Sequence, residues 1–386
     1  MWAVRKAVLV AAAASVLTRA SQVADLTLLT DSLARCLDGT PGGYFWLPAS
    51  ERDSAEKWVL SLQGGGECAD VTSCTNAMSS SLGSSKYFPK TYDMSGEWAQ
   101  LNQASAGSTP FAPWNHVRLE YCTQDLWTGL RKEKSPEAYD MYFAGHLIFR
   151  AVLDSLDAGS PSLKDAREII LTGESAGGIG VWPNLDYLAE RYPKARVVAA
   201  PIAGHYFYAY PYSGANHTSS GLADFRPEAW EHHYGLWDSF VDASCQTAHP
   251  QDPWFCLLSN NSLPFIANEA FVIEAQTDEV VILYHDSVPQ PYLDQAPEQA
   301  YLEEWHKNMT DVALAPFLDL ANDRLGAFNP ACFIHTSFNL TMPLIDGVNY
   351  MNAFSNFYFR GEQVETKSFK LKDTCGLMCN RSCPQA

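Results

Sequence analysis

The chain has 386 residues, 47% hydrophobic and 18% charged, so it can bury a large core, and a single α/β domain with insertions accounts for that length as well as two domains would. Its formal net charge of −18 argues against nucleic acid or an anionic membrane as partner and offers no long-range attraction for a polyanionic substrate.

Residues 1–20 start basic at Arg5 and Lys6, continue apolar from Ala7 to Leu17 and end in small residues near Ala20. This is the pattern of a secretory signal peptide cut near Ala20, leaving residues 21–386 as one expected domain. The apolar run is too short to span a bilayer, and nothing later supplies a transmembrane helix, so no stable membrane insertion is expected. Two further features agree with secretion. Ten cysteines is an even number, suited to five disulfides in an oxidising compartment. Five N-x-[ST] sequons, at Asn216, Asn260, Asn308, Asn339 and Asn380, suit a glycosylated extracellular chain.

Apolar, β-rich runs follow at residues 43–47, 57–63, 116–121, 168–172, 197–202, 270–275 and 331–336. Segments of helical periodicity lie between several of them. The clearest covers 135–157, with Ser135-Pro136 as cap and first-turn proline and an apolar face of Tyr142, Leu147, Ile148, Val152 and Leu156. Such alternation predicts an α/β fold with a mostly parallel central sheet flanked by helices. Residues 86–113, rich in Ser, Pro and Gly, read as a surface loop. Residues 205–265 interrupt the alternation with an aromatic-rich insertion, part of which is expected to cap a substrate pocket near the active site.

The chemistry begins behind the run 168–172. Gly173-Glu-Ser-Ala-Gly177 is a G-x-S-x-G pattern placed where a buried strand turns sharply into a helix over 178–191. That turn pushes the Ser175 hydroxyl out above the sheet, and small neighbours let the backbone double back. A serine hydroxyl is a weak nucleophile, so it needs a base and an acid behind the base; in α/β hydrolases the chain order is Ser, Asp or Glu, His. Asp278, just past the run 270–275, is the expected acid, with Glu274 and Asp286 in reserve. His285, His306 and His335 follow it. His335 is the expected base, because Cys332 can pin its loop, whereas His285 lies in an expected helix and His306 in a charged, solvated stretch. The oxyanion donors are expected from the backbone of Ala176 and from the Gly64-Gly-Gly66 turn after the run 57–63.

No metal is expected. Cys375, Cys379 and Cys383 do not have a standard zinc spacing, and a secreted chain oxidises such thiols. The terminal Cys-Pro-Gln-Ala is not a prenylation box, because its middle residues are not aliphatic.

Four segments together resemble the pectin acetylesterase/Notum family of secreted serine esterases. They are Leu62-Gln-Gly-Gly-Gly-Glu-Cys68, Val117-Arg-Leu-Glu-Tyr-Cys-Thr-Gln-Asp-Leu-Trp-Thr-Gly129, Thr172-Gly-Glu-Ser-Ala-Gly-Gly-Ile-Gly-Val181 and Ala331-Cys-Phe-Ile-His335. The resemblance implies an α/β-hydrolase fold, Ser175, Asp278 and His335 at the triad positions, Gly65, Gly66 and Ala176 at the oxyanion positions, and no metal or organic cofactor. It also implies an acylated polysaccharide or an acylated protein as substrate. Notum-like sequences carry an aromatic residue after the paired glycines, whereas this chain has Gly66 and Glu67, more like the pectin acetylesterase side. Residues 178–186 are more like Notum. The function expected is secreted O-deacetylation of a polysaccharide such as pectin. A lipid deacylase acting on a protein and a catalytically silent binding module of the same fold are the alternatives.

Overall fold

In the computed structural model, which describes residues 22–96, 109–217, 225–290, 293–361 and 365–384, one twisted sheet organises the chain. Its strands in chain order are β1 (Val23–Leu28), β2 (Gly43–Leu47), β3 (Lys57–Leu62), β4 (Thr91–Asp93), β5 (Asn115–Leu119), β6 (Glu168–Glu174), β7 (Arg196–Ile202), β8 (Glu269–Ile273), β9 (Leu325–Asn329) and β10 (Lys370–Lys372). Across the sheet the order is β10-β9-β8-β7-β6-β3-β5-β2-β1-β4. Every pair from β10 to β5 is parallel, and the β5–β2, β2–β1 and β1–β4 pairs are antiparallel. The architecture is that of an α/β hydrolase.

The central strands are apolar on both faces because both are covered. Leu60, Leu171, Ala199, Val272 and Ala327 fall in one core cluster, while Val59, Ile170, Val198, Phe271 and Phe328 fall in the other. This is the period-two alternation of a strand read on neighbouring strands in register: Leu60 pairs with Leu171, Leu171 with Ala199, and Val272 with Ala327. The helices Gly145–Asp157 and Ala176–Arg191 bury their apolar faces on the first side, and Tyr350–Tyr358 covers the second.

Three local expectations need correction. The helix expected over 135–157 starts at Gly145. Before it come a 3₁₀ turn, Pro136–Ala138, and two residues in left-handed conformation, Tyr139 and Asp140. The true start is fixed by a tertiary contact, since the Gly145 N–H donates to the buried Asp125 carboxylate at 2.7 Å. The strand expected over 331–336 is a loop, because the ladder ends at Asn329 before Pro330. Its apolar residues Cys332 and Ile334 are buried in a small cluster with Ala275 instead. The stretch 86–113 is not simply a surface loop: β4 pairs with β1, and Phe111 is fully buried, while residues 97–108 lie outside the described residues. The expected signal peptide lies outside them too.

The described residues of 205–265 include short helices, Pro227–Trp237, Ala243–Ala248 and Ser259–Ser262, around a mesh of rings including Tyr208, Phe225, Trp230 and Trp237. All ten cysteines are paired: Cys36–Cys122, Cys68–Cys74, Cys245–Cys256, Cys332–Cys383 and Cys375–Cys379. This pattern fits an oxidising, extracellular setting.

Candidate active site

Ser175 sits between the end of β6 and the helix Ala176–Arg191, with φ 57° and ψ −125°, a backbone region that non-glycine residues seldom occupy. The strain is held in place from both sides. The Ser175 N–H donates to the Ile202 carbonyl at 3.0 Å, and the neighbouring glycines allow main chains to touch. A Cβ on Gly177 would run into the Leu62 carbonyl, and one on Gly64 would lie 2.9 Å from the Ser175 Cβ. The glycine turn after β3 and the serine turn after β6 are therefore packed backbone to backbone.

Asp278 lies past the carboxyl end of β8 and is fully buried. It has two jobs, one for each oxygen. Its Oδ1 accepts from the Val280 and Val281 N–H groups at 2.9 and 3.0 Å, capping the turn that follows. Its Oδ2 accepts from His335 Nδ1 at 2.7 Å and from the Tyr206 hydroxyl at 2.8 Å. His335 Nε2 is buried and has no hydrogen-bond partner among the described residues. The His335 loop is anchored by Cys332–Cys383 and by the Thr277 hydroxyl, which donates to the Cys332 carbonyl at 2.8 Å.

Electrostatics follow from this geometry. Burial pushes the Asp278 pKa up, but the His335 charge and the hydrogen bonds from His335, Val281 and Tyr206 outweigh it, leaving the carboxyl below 3.8. Burial pulls the His335 pKa down, yet the adjacent Asp278 charge and hydrogen bond, helped by Glu279 and Glu174, raise it above 6.5. The reserve acid Glu274 is pushed well above its usual range by burial and by Asp278, and its Oε2 accepts the His205 N–H at 3.0 Å. The other histidines considered have different neighbours: His306 Nε2 meets Gln276 Oε1 at 2.7 Å, and His285 Nδ1 lies 3.7 Å from Glu67 Oε1.

The glycine turn is held by side chains of the next strand–loop. Gln63 Oε1 accepts from the Tyr121 N–H at 2.8 Å, and Trp127 Nε1 donates to the Gln63 carbonyl at 3.0 Å. Gln124 Nε2 donates to the Gly65 carbonyl at 3.0 Å. A peptide unit is planar and trans, so fixing the Gly65 carbonyl also fixes the Gly66 N–H on the opposite edge of the same plane. Gln124, Leu126 and Trp127 all have positive φ, and buried Asp125 braces the turn through Thr123, Gly145 and Trp127. Burial lifts the Asp125 pKa to about 6 against those hydrogen bonds.

A cavity of about 140 Å³ brings these parts together. Gly66, Ser175, Ala176 and His335 line it, and Gly65 does not. Ile179, Phe225, Val280 and Val281 give it an apolar wall, and Tyr206, Glu67 and His285 complete it. The insertion thus contributes Tyr206 and Phe225. Glu67 and Gln124 lie in segments that carry the family resemblance, whereas the contacts of His285, Tyr206 and Gln124 arise only in the fold. Gln124 lies inside a quoted motif, which was the available signal; nothing in the sequence marks Tyr206 apart from its aromatic neighbours.

The profile described as Pectinacetylesterase matches residues 17–384. The chain belongs to this family. The family's members are carboxylic ester hydrolases, and so is this chain. It is 28% identical to pectin acetylesterase 5 of Arabidopsis thaliana over 370 residues, covering 91% of this chain and 82% of that one. It is also 28% identical to the palmitoleoyl-protein carboxylesterase NOTUM of Drosophila melanogaster over 319 residues, covering 80% of this chain but only 44% of that one. The solved structure of the Drosophila Wnt deacylase Notum superposes with a TM-score of 0.76 at 24% identity, over 94% of this chain and 99% of that one. Family membership and fold agree with the motif reading. Among the described residues no group of three or more His, Cys, Asp and Glu could hold a metal, and no helix is long and apolar enough to cross a membrane.

Proposed function

We propose that the protein is a secreted serine esterase that removes short acyl groups, acetyl above all, from an O-acylated polysaccharide such as pectin. Ser175 Oγ attacks the ester carbonyl while His335 Nε2 takes its proton, and Asp278 holds the ring with Nδ1 protonated. The backbone N–H groups of Gly66 and Ala176, which line the cavity, receive the oxyanion, and Gly65, set back from the cavity, holds the turn that presents Gly66. His335 returns the proton to the departing alcohol, then activates water to release the acid from the acyl-serine.

The observation that carries the acyl-group reading is the size of the cavity at Ser175. A cavity of about 150 Å³ accommodates a benzene-sized molecule of six heavy atoms. At about 140 Å³ among the described residues, this one matches an acetyl group and is far smaller than a sixteen-carbon chain. The name pectin acetylesterase on a relative covering most of this chain supports the same choice.

The test is an acyl-length series on 4-nitrophenyl esters, with Ser175→Ala as control. Acetyl is expected to be the best substrate and octanoyl poor, and Ser175→Ala to lose on the order of a millionfold in kcat. A steep preference for octanoyl overturns the acyl assignment. Substantial turnover by Ser175→Ala, or failure of a fluorophosphonate to label Ser175, overturns the serine mechanism and returns the silent binding module to first place.

A further inference from the structure

Tyr206 touches both the acyl cavity and the back of the triad. It lines the cavity, and its buried hydroxyl donates to Asp278 Oδ2 at 2.8 Å. That same oxygen accepts from His335 Nδ1 at 2.7 Å. The phenol oxygen also lies 2.8 Å from the Ala203 carbonyl. A phenol has one proton for these two acceptors, and the charged carboxylate has the stronger pull. The segment carrying Tyr206 is fixed from several sides. It leaves β7 through Ala203, which has a left-handed φ of 47° and an N–H that donates to the Ile273 carbonyl at 2.9 Å. Gly204 then passes so close to the helix Ala176–Arg191 that a Cβ on it would collide with the Gly178 backbone. Trp182 of that helix donates from Nε1 to the Gly204 carbonyl at 2.9 Å. The Tyr206 N–H donates to Ser259 Oγ at 3.2 Å, and the Tyr206 carbonyl accepts from the Asn260 N–H at 3.2 Å. The main chain around the ring is thus tied to the nucleophile helix and to the insertion, which leaves the hydroxyl little freedom to leave Asp278.

Resting on the esterase reading above, we infer that Tyr206 is a positioning residue of the triad: its hydroxyl restrains the Asp278 oxygen that orients His335 and shares that oxygen's charge with the imidazole. A carboxylate oxygen that accepts two hydrogen bonds gives less to each. Tyr206 therefore moderates the hold of Asp278 on the imidazolium. A histidine held too firmly in its charged form cannot take the Ser175 proton at the working pH. Other ionisable groups act on the same pair. Glu274 and Glu279 interact with the Asp278 charge, Glu279 and Glu174 with His335, and Glu67, which lies 3.7 Å from His285, with Tyr206. All of them stay in place when the Tyr206 hydroxyl alone is removed, so a change on its removal reports Tyr206.

The test is Tyr206→Phe, which keeps the ring at the cavity and removes only the hydroxyl. With 4-nitrophenyl acetate, the midpoint of the kcat/KM profile against pH is expected to move up by about half a unit, because Asp278 then holds the imidazolium more tightly. The plateau kcat is expected to fall about tenfold as the acid loses a restraint, with KM nearly unchanged. The resonance of the His335 Nδ1 proton should move downfield, a readout that needs no turnover. Tyr208→Phe is the control: that hydroxyl donates to the Trp254 carbonyl at 3.1 Å, and its loss should move neither the midpoint nor the resonance. Inactive protein in a preparation lowers the rate but does not displace a midpoint, so partial misfolding cannot imitate the effect. A midpoint that stays or falls, an unmoved resonance, or an equal shift in Tyr208→Phe overturns the inference and leaves the esterase reading intact. A native protein inert toward 4-nitrophenyl acetate and unlabelled by a fluorophosphonate overturns the esterase reading itself, and this inference with it.

Discussion

The glycine turn 63–67 and the wall of Ile179, Phe225, Val280 and Val281 both border Ser175, but they are held by different forces. The turn is fixed by directional hydrogen bonds, from Tyr121, Gln124 and Trp127, and by glycine backbones in contact with the serine turn. The wall is apolar packing, part of it from the aromatic insertion. Hydrogen bonds are directional and weaken steeply once bent below about 120°, while apolar contacts constrain mainly volume. The turn should therefore control how well the transition state is met, and the wall which acyl chains enter. Damage to the first should appear in kcat; damage to the second should appear in substrate preference.

The largest effect should come from the pair that serves both regions. Asp278→Asn keeps the cap on Val280 and Val281 but presents an amide to His335 Nδ1, which favours the wrong tautomer. A loss of about 10⁴ in kcat is expected with the fold intact. In the native protein the rate should rise with pH through a midpoint above 6.5, as His335 loses its proton. Stability should move the other way. His335, with its pKa raised on folding, stabilises fully below 6.5 and loses that contribution as pH rises through the folded value; Asp278, lowered, stabilises fully above 3.8 and loses it as pH falls. Denaturation of the native protein across pH should show the pair contributing most between 3.8 and 6.5, and Asp278→Asn should flatten that dependence. A midpoint below 6.5 in the native rate profile would contradict the assignment of His335 as base.

Much of this arrangement was legible in the sequence, for identifiable reasons. The central strands are continuous apolar runs because both faces are covered, and Ser175, Asp278 and His335 follow strand ends in the expected order. Strands β1 and β4, at the antiparallel end of the sheet, escape the pattern because their residues are mostly exposed and mixed in polarity. The run 331–336 misled because Cys332 and Ile334 are apolar for a reason other than a ladder. The helix over 135–157 misled because Tyr142 continues the apolar period across a break set by Asp125, which touches Gly145 in space but lies 20 residues from it in the chain, beyond what periodicity records. The contacts of Gln124, Tyr206 and His285 depend wholly on tertiary approach, and no local pattern carries them.

A second test isolates the turn. Gln124→Glu is isosteric but replaces the donor to the Gly65 carbonyl with a carboxylate oxygen, so the Gly65–Gly66 peptide loses its hold and is repelled. Displacing an oxyanion donor costs about 10²–10³ in kcat when the donor is lost outright. Since the Gly66 N–H is misaimed rather than removed, about a hundredfold is expected, with KM for 4-nitrophenyl acetate nearly unchanged. A phosphonate or boronate analogue of the tetrahedral state should bind more weakly by a similar factor. If KM rises and analogue affinity holds, Gln124 supports the fold and does not aim the peptide.

The smallest effect should come from the wall. Phe225 is fully buried and packs against Trp230, Tyr206 and His285, so truncation opens space contiguous with the acyl cavity. Phe225→Ala should cost about 3–5 kcal/mol of stability, as for other buried aromatic deletions. Its effect on acetyl turnover should be slight, because no hydrogen bond to the reacting groups passes through the ring. The enlarged cavity should admit longer chains, and each extra buried methylene contributes about 0.8 kcal/mol. Two or three newly accommodated methylenes therefore correspond to about fifteen- to sixtyfold in the octanoyl-to-acetyl ratio of kcat/KM. Steady-state kinetics on the two esters, with the phosphonate analogue as a check on the turn, separates the regions. A shifted ratio with unchanged analogue affinity locates chain-length selection in the wall; a fall in analogue affinity would show that volume and geometry are not independent at this site.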